Sequence, residues 1–290
     1  MSKDNQEGFS KMSINWYPGH MAKTKRILSD EIKNIDIVYE LIDSRIPYSS
    51  KIKDIDNLIK NKNKILIMTK KDLCDLNLTN KWKKYYEKKG YKVLLVDLSK
   101  TSDYKSIIAL THEVCKSIQE KRKEKGLNEK EIRALVLGIP NVGKSTLINK
   151  IIGKKVQNVE NRPGVTKSLN YLKTNVGITI LDTPGILWPK LDEEEVALNI
   201  ASTGGIKKEI LNLDEICVHI LEVLYKRYPK ILKEKYNIDR FDVLEMYEVI
   251  GKKIGAYKNG EADYDRVSNK VYNDIVSGNI KGVTFDDINR

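Results

Sequence analysis

The feature that most constrains the fold of this chain is the sequence GIPNVGKST at residues 138–146. It follows an apolar run at residues 132–137, typical of a buried strand, and precedes an amphipathic run at residues 147–152, typical of a helix. A strand, a glycine loop and a helix in this order match the GxxxxGK[ST] pattern, which binds nucleotide phosphates. An ordinary glycine-rich turn is the alternative, and the flanking strand and helix argue against it. We therefore predict an α/β domain that binds a nucleoside triphosphate.

The residue types in this loop account for its chemistry. Glycine lets the backbone turn so that N–H groups converge on phosphate oxygens, and the following helix adds the positive end of its dipole. We expect Lys144 to reach the β- and γ-phosphates and Ser145 to bind Mg²⁺. The residues expected to contact the nucleotide here are Val142, Gly143, Lys144, Ser145 and Thr146.

A second phosphate-side motif, DTPG, stands at residues 182–185 after the apolar run at residues 177–181. Asp182 supplies a carboxylate on the magnesium side, and Gly185 supplies an N–H for the γ-phosphate. The two motifs together predict a nucleoside triphosphatase.

The sequence TKKD at residues 69–72 predicts which base is bound. It follows an apolar run at residues 64–68, so it stands at the end of a predicted strand. We expect Asp72 to accept hydrogen bonds from the ring N–H and the exocyclic amine of guanine, with the stem of Lys70 over the base and Thr69 beside it. Adenine lacks these donors and would leave a buried carboxylate unpaired. A lysine-rich chain contains K-K-D by chance, but the position at a strand end favours a guanine site.

Three further segments complete the predicted nucleotide domain. A strand is predicted at residues 35–42, and apolar spacing predicts a short helix at residues 52–59. Another strand at residues 93–96 ends in DLSK, where Ser99 is the candidate to contact the guanine carbonyl.

The order of the motifs predicts a circular permutation. The guanine element at residues 69–72 comes first, the phosphate loop second and DTPG third, whereas the guanine element ordinarily comes last in GTP-binding proteins. One sheet can be built in either order, because chain termini lie at the surface and a loop can join them.

Charge indicates a polyanionic partner. The formal net charge is +12, and residues 206–290 carry 15 basic and 15 acidic residues, so the excess lies in residues 1–205. A basic nucleotide-binding domain favours nucleic acid, while a lysine bias that only aids solubility is the alternative. The basic run at residues 121–126 is equally consistent with a solvated surface and with an RNA contact.

Composition predicts a cytoplasmic protein without a membrane partner. No apolar run approaches the ~20 residues that span a bilayer. The polar residues 1–13 lack the apolar core of a signal peptide, and the three scattered cysteines have no metal-ligand spacing and suggest a reducing compartment.

Residues 206–290 predict a separate helical domain. Helical periodicity covers residues 210–228, 241–254 and about 263–277, with breaks at Pro229, Gly255 and Gly260. We therefore predict a nucleotide domain at residues 1–205 and a helical domain at residues 206–290.

Several segments together resemble the RbgA/YlqF family of ribosome-assembly GTPases. They are YPGHM at residues 17–21, DSR at 43–45, RPGVT at 162–166, the two phosphate-side motifs and the permuted order. The resemblance covers about residues 15–207 and continues more loosely to residue 290. It implies an α/β, circularly permuted P-loop GTPase domain followed by a C-terminal all-helical domain that contacts ribosomal RNA.

The resemblance also implies roles for individual residues. Thr166 matches the switch threonine that caps Mg²⁺ and the γ-phosphate, and Asn141 matches an asparagine that helps hold K⁺ in several related GTPases. Ile186 stands where many GTP-binding proteins have the glutamine that orients water, and His20 is the family's candidate for that work. From the residues alone, a histidine at a helix start is more often a cap or turn residue than a catalyst. The resemblance leaves the two roles equally open. The family has asparagine at the position of Thr69. Threonine has the shorter side chain, so we expect weaker guanine affinity or a weaker contact with the phosphate loop.

Two functions follow from these expectations. The first is a slow GTPase that times maturation of the large (50S) ribosomal subunit. It would bind GTP or GDP with Mg²⁺ and K⁺. Its expected partners are a precursor particle, rRNA and ribosomal proteins, and no DNA partner is expected. The second is a GTP-sensing RNA-binding or scaffold module in which hydrolysis is incidental. The isoleucine at position 186 favours the second for the isolated protein, and the predicted magnesium ligands favour the first.

Overall fold

The computed structural model describes residues 28–52, 56–153, 170–183, 193–258 and 260–289, with a mixed β-sheet at their centre. Its strands are β1 (Ile37–Asp43), β2 (Asn63–Thr69), β3 (Lys92–Leu95), β4 (Ile132–Gly138), β5 (Asn170–Lys173) and β6 (Ile178–Asp182). Their spatial order is β3-β2-β1-β4-β6-β5, and β5 alone among these strands runs antiparallel to its neighbour.

Apolar runs place the inner strands in the core. Every residue of β1 and β6 is buried, and β4 exposes only Arg133. Strands covered on both faces need such continuous apolar sequence. Parallel pairing aligns Asp43 with Thr69 and Leu41 with Gly138, so the carboxyl ends of β1, β2 and β4 meet at one edge. The loops predicted to bind nucleotide begin at this edge.

Helices surround the sheet and form the C-terminal part. The helices associated with the sheet are α1 (Leu76–Lys88), α2 (Thr101–Glu124), α3 (Lys144–Ile152) and α4 (Glu194–Ser202). The C-terminal helices are α5 (Leu213–Arg227), α6 (Pro229–Tyr236), α7 (Val243–Ile254) and α8 (Tyr264–Val276). A hairpin of two short strands, β7 (Tyr257–Lys258) and β8 (Glu261–Ala262), lies between α7 and α8. In the part of the chain that the structure describes, no helix is both long and apolar enough to cross a membrane.

The predicted fold class is confirmed. The strand that carries TKKD, β2, precedes the phosphate-loop strand β4 in the chain and lies in the same sheet, as a circular permutation requires. The predicted helical character of the C-terminal part is confirmed, but the described residues are not all-helical, because the β7–β8 hairpin lies between two of the helices. The domain boundary at residue 205 remains a prediction.

Three local features differ from the sequence reading. Helix α6 begins at Pro229, where the sequence predicts a break. Proline suits the first turn of a helix because an N–H at that position would have no intrahelical partner. The antiparallel edge strand β5 was not predicted. Residues 56–61 form turns, so the helix predicted for residues 52–59 is wrong over its described end; the ion pairs of Lys51 with Glu40 and Asp56 fix this connection.

The C-terminal residues pack on the nucleotide domain through a buried carboxylate. Asp286 accepts hydrogen bonds from the backbone N–H groups of Tyr48 (2.7 Å) and Ser49 (2.9 Å), from the Ser49 hydroxyl (2.5 Å) and from Asn199 Nδ2 (3.0 Å). Burial lowers the pKa of His219 to about 4, so its ring is neutral at neutral pH and donates to Asn199 Oδ1 at 2.8 Å. The network joins the loop after β1, helix α4, helix α5 and the C-terminal residues.

We predict that Asp286→Ala lowers the free energy of unfolding by about 3 kcal/mol, because several buried donors lose their acceptor. The neighbouring Asp287 is half exposed and lies 3.9 Å from Arg227. Asp287→Ala is the matched control and should change stability by less than about 1 kcal/mol. Urea denaturation of the nucleotide-free protein measures both values. Equal losses in the two variants would contradict the role assigned to the buried network.

Candidate functional site

The phosphate loop closes around the side chain of Lys144. Its Nζ donates to the backbone carbonyls of Gly138 and Ile139, each at 2.9 Å, and the side chain is buried. Two glycines make this turn possible. A Cβ on Gly138 would lie 2.8 Å from the Leu41 carbonyl oxygen, and Gly143 has a left-handed φ of 106° at the start of α3. The loop therefore has the geometry expected of a phosphate-binding loop.

An acidic side chain lies near this lysine. Burial lowers the pKa of Lys144 to about 8, and the negative charge of Asp182 opposes the shift. Asp182 ends β6, is fully buried, and pairs in register with Val136 of the phosphate-loop strand. The next residue, Thr183, donates from its hydroxyl to the Val136 carbonyl at 2.7 Å, which fixes the backbone after the carboxylate.

The oxygen ligands here fit Mg²⁺. A hydroxyl at the start of α3, from Ser145, and the carboxylate of Asp182 are hard ligands of the kind that Mg²⁺ prefers. Among the described residues, no group of three or more His, Cys, Asp or Glu side chains could hold a metal by itself. This donor set suits an ion that takes its other ligands from nucleotide phosphates and water.

The guanine element lies directly against the phosphate loop. The Thr69 hydroxyl is 2.6 Å from the Val142 carbonyl oxygen and 3.1 Å from that of Ile42. A Cβ on Gly143 would lie 3.2 Å from Leu98 and 3.8 Å from Thr69. The shorter side chain of threonine thus still reaches the phosphate loop, and three loops meet at the carboxyl edge of the sheet.

The predicted base-reading residues lie around this junction. Lys70 has a left-handed φ of 57°, and its Nζ is 2.9 Å from Asp43 Oδ2. Asp72 is exposed, so its carboxylate is accessible to a ligand. Ser99 donates from its backbone N–H and its hydroxyl to Asp97 Oδ1, at 2.9 and 2.6 Å. A hydrogen bond of 3.1 Å from Lys71 N to Val96 O joins the loops that carry Lys70 and Ser99.

The structure describes only some of the other predicted site residues. Asn141 has a left-handed φ of 58° and donates from Nδ2 to the Gly204 carbonyl at 2.7 Å. Thr146 lies in the first turn of α3. His20, Thr166 and Gly185 lie outside the described residues, so their roles remain predictions.

Sequence reasoning assigned no role to Arg45, although the structure buries it completely beside the site. Its guanidinium donates from Nε and Nη2 to the two carboxylate oxygens of Asp43, at 3.1 and 2.8 Å. Burial alone would raise the pKa of Asp43, but the charges of Arg45 and Lys70 hold that pKa well below its usual range. The available signal was the DSR sequence itself, an acid and a base directly after an apolar strand.

Comparisons with known proteins identify the family. Residues 133–254 match the family described as 50S ribosome-binding GTPase. The ribosome biogenesis GTPase A of Priestia megaterium is 40% identical over 280 residues, which cover 95% of this chain and 97% of that protein. This chain belongs to the ribosome biogenesis GTPase A family. The member from Thermotoga maritima is 29% identical over 275 residues, which cover 94% of both chains. The resemblance to the RbgA/YlqF family is thereby confirmed.

A solved structure has the same fold as this chain. The crystal structure of GNP-bound YlqF from Thermotoga maritima has a TM-score of 0.64 at 24% sequence identity. The similarity covers 91% of this chain and 97% of that one, so it extends through both the sheet and the C-terminal helices.

We predict that Thr69→Val raises the Kd for GDP by about fivefold, because the Val142 carbonyl loses the hydroxyl that holds the phosphate loop against β2, a loss of about 1 kcal/mol. The matched control is Thr111→Val in α2, which removes a buried hydroxyl bonded to Ile107 O at 2.7 Å. Calorimetric titration with GDP should give an unchanged Kd for the control. An unchanged Kd for Thr69→Val would contradict this role for Thr69.

Proposed function

We propose that this chain hydrolyses GTP at the carboxyl edge of its sheet and acts in assembly of the large ribosomal subunit. Membership of the ribosome biogenesis GTPase A family supports this function. The observation that carries the assignment of the site is the junction of three loops, where Thr69 bonds to Val142 and Lys144 occupies the phosphate loop. This contact between the loop that carries the guanine motif and the loop that carries the phosphate motif supports a single nucleotide site.

In this proposal each loop binds one part of GTP. The phosphate loop binds the phosphates through Lys144 and through the backbone of Val142, Gly143, Ser145 and Thr146. Ser145 and Asp182 would hold Mg²⁺, which would neutralise charge on the phosphates when bound. The base is read by Lys70 and Asp72, with Ser99 on its carbonyl side and Thr69 holding the loop in contact with Val142.

The chemical step requires a positioned water and compensation of charge at the γ-phosphate. We assign the water to His20, and the γ-phosphate contacts to Thr166 and Gly185. Asn141 donates from Nδ2 to Gly204, which orients its amide, and Oδ1 is the atom with which it would bind K⁺. A cation at this point supplies positive charge where an arginine acts in other GTPases.

The partner is a precursor of the large ribosomal subunit. The relatives are named for ribosome biogenesis, and the matched family is described as 50S ribosome-binding. The net charge of +12 suits contact with rRNA, and we include ribosomal proteins at the same surface. This function places the protein in the cytoplasm, without a membrane or DNA partner. A GTP-sensing scaffold in which hydrolysis is incidental is the alternative, and it is favoured by Ile186 at the position of the usual glutamine.

We predict that Asp72→Asn exchanges GTP for xanthosine triphosphate as the preferred ligand. Xanthine has an acceptor where guanine has the amine donor, and an asparagine amide can donate to it. Competition binding with both nucleotides measures the exchange. Asp75→Asn, at the N-cap of α1, is the control and should keep the preference for GTP. Equal affinity of the unaltered protein for ATP and GTP would contradict the guanine site.

We predict slow GTP turnover by the free protein and faster turnover with large ribosomal subunits. His20→Ala should keep the affinity for GTP and reduce the stimulated rate at least about tenfold, because water positioning contributes roughly 10²–10⁴-fold. His112→Ala is the control, since His112 is exposed on α2 and bonds to Val176 O at 3.0 Å.

Replacing potassium by sodium at constant ionic strength tests the role of Asn141. Sodium should support hydrolysis poorly, because a cation site must match the ion radius, and identical rates in the two salts would contradict a K⁺ site at Asn141.

The outcomes separate the two functions. A subunit-stimulated rate that falls in His20→Ala and not in His112→Ala supports the GTPase. GTP-dependent binding to the subunit without any stimulation of turnover would favour the scaffold.

A further inference from the structure

We propose that Arg45 is a positioning residue for guanine recognition. It acts through Asp43 on Lys70, and two backbone carbonyls at the ends of helices α4 and α8 fix its guanidinium. The inference rests on the guanine-binding role proposed above for Lys70.

The first link joins the base-reading lysine to a buried carboxylate. Lys70 Nζ lies 2.9 Å from Asp43 Oδ2, and about a quarter of the lysine side chain is exposed. The Lys70 backbone has a left-handed φ of 57°, a conformation that a lysine adopts only where its surroundings hold it. Asp43 therefore determines where the stem of Lys70 lies, and hence the surface that the stem offers to a purine.

The second link fixes that carboxylate. Arg45 contacts both carboxylate oxygens of Asp43, through Nε at 3.1 Å and Nη2 at 2.8 Å, and its backbone N–H donates to Oδ1 at 2.9 Å. The Asp43 backbone N–H donates to Ser50 Oγ at 3.0 Å. A planar guanidinium that binds both oxygens allows a single orientation of the carboxylate. Lys70 therefore contacts Oδ2 of a carboxylate whose orientation Arg45 fixes.

The third link reaches the C-terminal helices. Arg45 Nη1 donates to the Ile275 carbonyl at 3.0 Å, and Nη2 lies 3.2 Å from the Thr203 carbonyl. Ile275 lies in the last turn of α8, and Thr203 is the C-cap of α4. Carbonyls at helix C-termini carry partial negative charge, so they attract a guanidinium. The Ile275 carbonyl has room for this second donor while it also accepts from the Gly278 N–H at 3.3 Å. The packing of α8 against the nucleotide domain thus enters the geometry of the guanine site.

A purely structural role for Arg45 makes a different forecast. A buried ion pair that only holds the fold together would affect stability and would leave the affinity of a folded protein for nucleotides unchanged. A positioning role predicts that substitution of Arg45 weakens nucleotide binding only in a protein that still has Lys70. It also predicts equal loss for GDP and inosine diphosphate, because the lysine stem contacts the ring face and Asp72 reads the amine that inosine lacks.

The experiment measures the Kd for GDP and for inosine diphosphate in a mutant cycle of Arg45→Gln and Lys70→Ala. We expect Arg45→Gln to weaken both ligands by about tenfold, the effect of one misplaced charged group. In the Lys70→Ala background the same substitution should change either Kd by less than about twofold. Asp72→Asn should instead change the ratio of the two affinities.

Controls keep the result interpretable if the arginine variant unfolds. Asp43→Asn preserves volume and Arg45→Lys preserves charge, and either variant can replace Arg45→Gln in the cycle. Tyr247→Phe is the matched control, because it removes a hydroxyl 2.8 Å from Ser268 Oγ between α7 and the first half of α8. This control should leave both affinities unchanged, since Ser268 lies two turns of α8 before Ile275.

Each outcome has one meaning. A folded Arg45 variant with unchanged affinity, or an effect that adds fully to that of Lys70→Ala, would overturn the inference while the guanine site stands. A Lys70→Ala variant that binds GDP normally would remove the proposed role of Lys70, and the inference with it.

Discussion

The parallel register of β1, β2, β4 and β6 is the constraint on which the site depends. It aligns Asp43 with Thr69 and Val136 with Asp182, so groups far apart in the chain reach the same edge of the sheet. Strand pairing, unlike chain order, determines which loops become neighbours. A circular permutation is therefore compatible with a complete nucleotide site, provided that each strand keeps its neighbours in space.

Side-chain contacts turn this alignment of strands into a single site. The Thr69 hydroxyl bonds to Val142 across two strand ends, and the buried carboxylate of Asp43 interacts with Lys70 and Arg45. Both contacts lie in regions with little solvent, where a missing partner is costly. The loops can thus keep fixed relative positions although each of them is locally irregular.

The sequence predicted those parts of the fold that depend on local patterns. Apolar runs identified β1, β2, β4 and β6, and the GKST and TKKD motifs identified the loops that meet at the sheet edge. Helix α6 was missed because proline both ends helices and begins them, and the polar edge strand β5 carries a weak signal. The hydrogen-bond partners of Arg45 could not be predicted from the sequence for another reason. Its carbonyl acceptors lie 158 and 230 positions away along the chain, and no local periodicity encodes such a contact.

Two neighbouring backbone carbonyls accept hydrogen bonds from two different loops of the candidate site. Thr203 accepts from Arg45, which lies on the guanine side, and Gly204 accepts from Asn141, which lies in the phosphate loop. Gly204 also lies against α8, since a Cβ at this position would be 3.3 Å from Val276 Cγ1. A rigid-body shift of this turn would change both contacts, because the two carbonyls belong to adjacent peptide groups. Thermodynamic linkage makes such coupling reciprocal, so ligands that favour one position of α8 and nucleotides that favour one geometry of the site must affect each other's binding. Backbone carbonyls at helix ends thus join the C-terminal helices to two loops of the candidate site.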